Sequence, residues 1–155
     1  MSFDDLRDLY QDVILDHGRK PRHGQRLTAY DTTAKGDNPM CGDRVEVWVK
    51  LAADNTIAAT GFEARGCAIS VASADLMAET VQGRGPADTK ALFETFREMV
   101  RTGVCPSHDP AMERLAPLSG VHEYPSRVKC ATLPWHALTA ALDGIKETSS
   151  ARDDQ

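Results

Sequence analysis

The chain is predicted to fold as an α+β domain in which a small antiparallel sheet packs against helices. Three features carry this. The N-terminal stretch repeats apolar residues at helical spacing, residues 44–64 alternate and turn back on themselves, and everything after Gly66 returns to helical spacing. Strands and helices segregated along the chain in this way suit an antiparallel sheet.

The elements follow in order. Phe3, Leu6, Leu9-Tyr10 and Val13-Ile14 form an apolar stripe over residues 3–17, with Asp4 and Asp5 in the first turn and Gly18 and Pro21 as the stop. Val45, Val47, Val49 and Leu51 alternate with mostly polar neighbours over 44–51, the pattern of a half-buried strand. Asp54-Asn55 is a turn signal, and Ile57 to Ala64 returns as the second arm of a hairpin. Ile69, Leu76-Met77 and Val81 give a helix that ends near Gly83, and Leu92-Phe93, Phe96 and Met99-Val100 give another over 87–102. Gly103 to Pro110 is a loop, followed by a short helix at 110–118. The last helix starts near Pro125, a favourable first position for proline, and contains Pro134, which is expected to kink it because it cannot donate to the carbonyl of Cys130. Residues 1–146 are expected to form a single domain, and the polar stretch 147–155 a disordered tail.

Composition excludes several classes of function. The chain has 155 residues, 41% of them hydrophobic, and a formal net charge of −5. No apolar run approaches the roughly 18–20 residues of a bilayer span, so no membrane association is expected. The acidic balance argues against nucleic acid, which wants a basic surface. The short basic run Arg19-Lys20-Pro21-Arg22-His23 is first a solvated loop, with docking to an acidic partner as its functional reading. The opening residues lack the apolar core of a secretory signal, and a cytoplasmic location is expected.

The cysteines are the informative residues. They stand at 41, 67, 105 and 130, with no Cys-x-x-Cys pair, so a shared site would have to be assembled from distant segments. Cys41 and Asp43 flank Gly42 in the turn-rich segment Gly36–Asp43, and residues two apart in extended chain point to the same side. Cys67 follows Gly66 at a helix start, where the positive end of the helix favours thiolate. Cys130 lies near the start of the last helix, close to Arg127 and next to Lys129, whose charges favour thiolate as well. Three thiolates and one carboxylate satisfy tetrahedral zinc, although a lone cysteine is more often a small buried hydrophobe. Cys105, in a Val-Cys-Pro loop without a partner motif, is taken as a bystander, and none of the five histidines is taken as a ligand.

Four blocks in order carry a resemblance. They are Leu9-Tyr10 through Val13-Ile14-Leu15-Asp16-His17 to Pro21-Arg22, then Gly36-Asp37-Asn38-Pro39-Met40-Cys41-Gly42-Asp43, then Gly66-Cys67-Ala68-Ile69-Ser70, and Arg127-Val128-Lys129-Cys130-Ala131-Thr132-Leu133. From about residue 6 to 143 the chain resembles the SufU-type proteins of the NifU-like, U-type iron–sulfur assembly superfamily. The resemblance implies a sheet of about three strands. It also implies that Cys41, Asp43, Cys67 and Cys130 bind Zn2+, that Cys41 accepts sulfur from a SufS-type cysteine desulfurase and that a downstream cluster scaffold receives it. Arg127 matches a family arginine near the site.

The sister branch, the IscU-type scaffolds, would hold an iron–sulfur cluster on the same cysteines and stands as the alternative. Two features separate the chain from it. Lys129 replaces the histidine that precedes the last cysteine there, and the Leu-Pro-Pro-Val-Lys block is missing. In addition, 62 residues lie between Cys67 and Cys130, a longer interval than the scaffolds have, with the extra segment at about 103–122.

Overall fold

The computed structural model describes residues 3–39, 42–105 and 109–149, with residues 3–9 described by their backbone alone. Helix α1 (Phe3–Arg19) is followed by strands β1 (Thr32–Asn38), β2 (Asp43–Leu51) and β3 (Ile57–Arg65). Helices α2 (Ala68–Thr80), α3 (Pro86–Thr102) and α4 (Pro110–Leu115) come next, then a 3-10 helix (Ala116–Glu123), α5 (Pro125–Leu142) and a short strand β4 (Glu147–Ser149).

The α+β class holds, but the sheet has four strands rather than three, in the order β3-β2-β1-β4. β1, β2 and β3 pair antiparallel, whereas β4 pairs parallel to β1, so the sheet is mixed. Neither β1 nor β4 was visible in the sequence. β1 alternates as a strand should, but its buried members are Ala34, Gly36 and Asn38, which make no apolar run. Glu147–Ser149, expected to be disordered, instead extends the sheet through backbone pairing, which depends little on side-chain type.

The predicted strand 44–51 is more than half buried. Val45, Val47 and Val49 fill the core on one face. Trp48 on the other face is only 1% exposed, because the segment after α1 crosses over it. The guanidinium of Arg26 lies 5.4 Å from the Trp48 ring centroid. Gly61, directly across from Trp48 in β3, leaves room for that segment, since a Cβ there would lie 2.3 Å from the carbonyl oxygen of Gln25.

α5 is the central helix. Every side chain from Val128 to Leu138 is buried, with the sheet on one side and α2 and α3 on the other. That accounts for its weak apolar stripe: a helix covered on all sides needs no polar face. Trp135 stacks on Phe96 and Phe93 of α3 at centroid distances of 4.8 and 5.9 Å. The helix runs through Pro134 as one element. The helix predicted at 110–118 is α-helical only to Leu115 and continues as the 3-10 helix.

Candidate metal centre

Three elements meet at one end of the sheet, each delivering one donor. Asp43 is the first residue of β2 and is 2% exposed. Cys67 is the residue immediately before α2, with extended backbone, at the positive end of that helix. Cys130 lies in the second turn of α5 and is fully buried. The carboxylate oxygen and the two sulfurs all lie within 4.8 Å of one another.

The carboxylate is held from several directions. Its Oδ1 accepts the backbone N–H of Cys67 at 3.1 Å, its Oδ2 accepts the Ser70 hydroxyl at 2.9 Å, and Cys67 Sγ stands 3.7 Å from Oδ2. This close approach requires glycine at 66, where φ is +145° and a Cβ would lie 2.0 Å from Asp43 Oδ1. Cys130 Sγ has the Asn38 side-chain amide at 3.9 Å and the Ser126 carbonyl at 3.6 Å. Asn38 faces Asp43 across the β1–β2 register.

The sequence places both thiols where thiolate is favoured, but in the fold the pair behaves unequally. A hydrogen bond from the Cys130 thiol, helped by the Ser70 backbone and opposed by burial, brings the Cys67 thiol down to about 6. Cys130 is pushed up instead, by that same hydrogen bond, by burial and by Asp43. Arg127 faces the pair from the first turn of α5. The charge of Cys67 and hydrogen bonds to both sulfurs raise its guanidinium further above its ordinary value.

Two soft sulfurs and one carboxylate converging behind a helix N-terminus fit a divalent ion such as zinc. Such an ion would reverse the electrostatics that keep Cys130 protonated, because a coordinating thiol loses its proton. Of the predicted site residues, Asp43, Cys67, Cys130 and Arg127 are brought together. Cys41 lies outside the described residues. Cys105 is exposed.

Two contributors went unnoticed in the sequence. Ser70 stands three residues after Cys67, the spacing at which a side chain reaches back to a helix start. The other, Asn38, carries no signal beyond its place in the Asp-Asn-Pro turn.

The model of the family described as the NifU-like N-terminal domain matches residues 9–131. The chain belongs to this family. Among the relatives of this NifU-like domain is the iron–sulfur cluster assembly scaffold protein IscU of Streptococcus pyogenes serotype M1. It is 35% identical over 98% of this chain and 92% of the relative. The zinc-dependent sulfurtransferase SufU of Bacillus subtilis strain 168 is also 35% identical, over 89% of this chain and 92% of the relative. A crystal structure named FiSufU, from Fervidobacterium islandicum AW-1, is described as a candidate iron–sulfur cluster assembly scaffold protein for the SUF system. It is 27% identical and superposes with a TM-score of 0.77, covering 88% of this chain and 98% of that one. Identity therefore places the NifU-like chain in iron–sulfur cluster assembly without dividing scaffold from sulfurtransferase. No helix among the described residues is long and apolar enough to cross a membrane.

Proposed function

We propose that this chain is a zinc-dependent sulfurtransferase of iron–sulfur cluster assembly that takes sulfur from a SufS-type cysteine desulfurase onto Cys41. The observation that carries the reading is the donor set: a buried carboxylate, fixed by Ser70 and the Cys67 N–H, shares one pocket with two thiols. Asp43, Cys67 and Cys130, with Cys41 as the fourth donor, would hold the ion, and bound zinc would supply the charge that keeps these thiols deprotonated near neutral pH.

The chain's own residues perform the transfer. The Cys41 thiolate attacks the outer sulfur of the desulfurase persulfide, forming a new sulfur–sulfur bond. The old sulfur–sulfur bond breaks, and its electron pair leaves with the desulfurase cysteine as a thiolate. Arg127, exposed at the mouth of the pocket beside both sulfurs, is placed to offset the negative charge of the incoming persulfide. The product persulfide passes to a downstream cluster scaffold.

The second reading, a scaffold that carries an iron–sulfur cluster as cargo, is supported by the equal identity to the Streptococcus IscU. Lys129 in place of the scaffold branch's histidine speaks against it. The two differ in colour and composition. The sulfurtransferase should be isolated colourless with one zinc and should stimulate desulfurase turnover. A brown protein with iron and acid-labile sulfide, and no stimulation, would establish the scaffold instead.

A further inference from the structure

A second group of metal-ligand side chains lies away from the thiol pocket. α2 turns Ser70 and Ser73 toward α5, where they donate to the Cys130 and Ala131 carbonyls. On another face it carries Asp75 and Glu79, one turn apart. His17 of α1 meets them there, and one ligand atom from each of His17, Asp75 and Glu79 lies within 4.8 Å of the others. His17 Nδ1 is 2.5 Å from Asp75 Oδ2, and His23 Nε2 is 3.7 Å from Glu79 Oε1.

The charges here need explanation. The Asp75 side chain is 0% exposed, and an ionised carboxylate buried to that degree is costly unless positive charge meets it. A second carboxylate, Glu79, enters the same cluster. The cations at hand are His17, if it takes a second proton, and Arg22. Arg22 bonds Asp16 at 2.5 Å and also interacts through its charge with Asp75 and Glu79. Two imidazoles and two carboxylates satisfy a divalent ion with both imidazoles neutral. Asp75 Oδ1 accepts the His23 backbone N–H at 2.8 Å, the kind of outer contact that orients a ligating carboxylate, and an ion bound at Oδ2 would take the place of its hydrogen bond to His17 Nδ1. Glu79 and His23 are partly open, with side-chain exposures of 26% and 33%, so an ion has a path in.

We propose that His17, Asp75 and Glu79, with His23 as a fourth donor, form a second divalent-cation site that clasps α1 and the segment after it onto α2. Its nitrogen and oxygen donors suit a first-row ion such as zinc, cobalt or manganese. The site is independent of the thiol pocket and of the sulfurtransferase reading.

Cobalt(II) tests it, because thiolate-bound cobalt shows strong near-ultraviolet charge-transfer absorption and cobalt held by nitrogen and oxygen does not. The full chain as isolated is titrated with cobalt and followed by absorption and by equilibrium dialysis. The expected result is an equivalent of bound cobalt with weak visible bands and no thiolate charge transfer. Its binding should weaken by about tenfold or more in Glu79→Gln and in His17→Gln, with thiolate-bound metal unchanged. Glu79 is partly exposed, so Glu79→Gln decides the matter if His17→Gln does not fold. Two results would overturn the proposal. All bound cobalt could show thiolate charge transfer, leaving His17 and Asp75 a plain hydrogen-bonded lock, or the second equivalent could persist undiminished in Glu79→Gln.

Discussion

Gly66 and Asp43 define each other's positions: a side chain at 66 would place its first carbon 2.0 Å from Asp43 Oδ1. The glycine is what lets the chain bring the Cys67 N–H onto that oxygen. Gly66→Ala must move the carboxylate or rebuild a backbone whose φ of +145° disfavours any side chain. Stability should fall by about 1–3 kcal/mol, and zinc should be held more weakly. Competition with a chelator measures the second effect, and a Gly66→Ala protein with wild-type zinc affinity would show that Asp43 is not a ligand.

Ser70 serves two acceptors with one hydroxyl. Pro134 has no N–H to offer the Cys130 carbonyl, and Ser70 Oγ lies 3.1 Å from that oxygen as well as 2.9 Å from Asp43 Oδ2. Ser70→Ala should cost about 1–3 kcal/mol, because buried acceptors lose their partner. It should also weaken zinc about 10- to 100-fold, as loss of an outer contact does. Denaturant titration of the zinc-loaded and the chelator-stripped protein separates the two effects.

The sequence showed most of this site but not the reason it works. Cys67 and Cys130 stood out through their helix-start contexts, and Asp43 through its place two residues from Cys41. The proton sharing between Cys67 and Cys130 could not be read, because it arises from a sulfur–sulfur contact between residues on different elements. β1 was missed because Ala34, Gly36 and Asn38 carry no hydrophobic signal, and β4 because its pairing with β1 is through the backbone, which leaves no side-chain pattern. His17 was not taken as a ligand, since its partner Asp75 stands 58 residues away in the chain.

Arg127 should separate binding from transfer. It is exposed and adds no donor to the metal, so Arg127→Ala should keep its zinc and its fold. Persulfide acceptance should fall by about tenfold, the loss expected for one charge-assisted contact of roughly 1.5 kcal/mol. Arg127→Lys should recover part of it, because lysine keeps the charge without the planar fork. Unchanged transfer rates in Arg127→Ala would remove Arg127 from the mechanism.

Cys105 is exposed, outside the donor cluster, and in the loop after α3. Cys105→Ser should therefore match wild type in zinc content and in desulfurase stimulation. A deficit in either would make the segment 103–122 part of the working site.

The most direct measurement is to mix the zinc-loaded chain with a SufS-type desulfurase and cysteine, then map persulfide sulfur on its cysteines by mass spectrometry. A sulfurtransferase should carry the added sulfur on Cys41, and Cys41→Ser should carry none on any cysteine while the desulfurase remains charged. Sulfur found equally on Cys67 and Cys130, or a chain that takes up no sulfur and instead assembles an iron–sulfur cluster when iron is supplied, would contradict the sulfurtransferase reading.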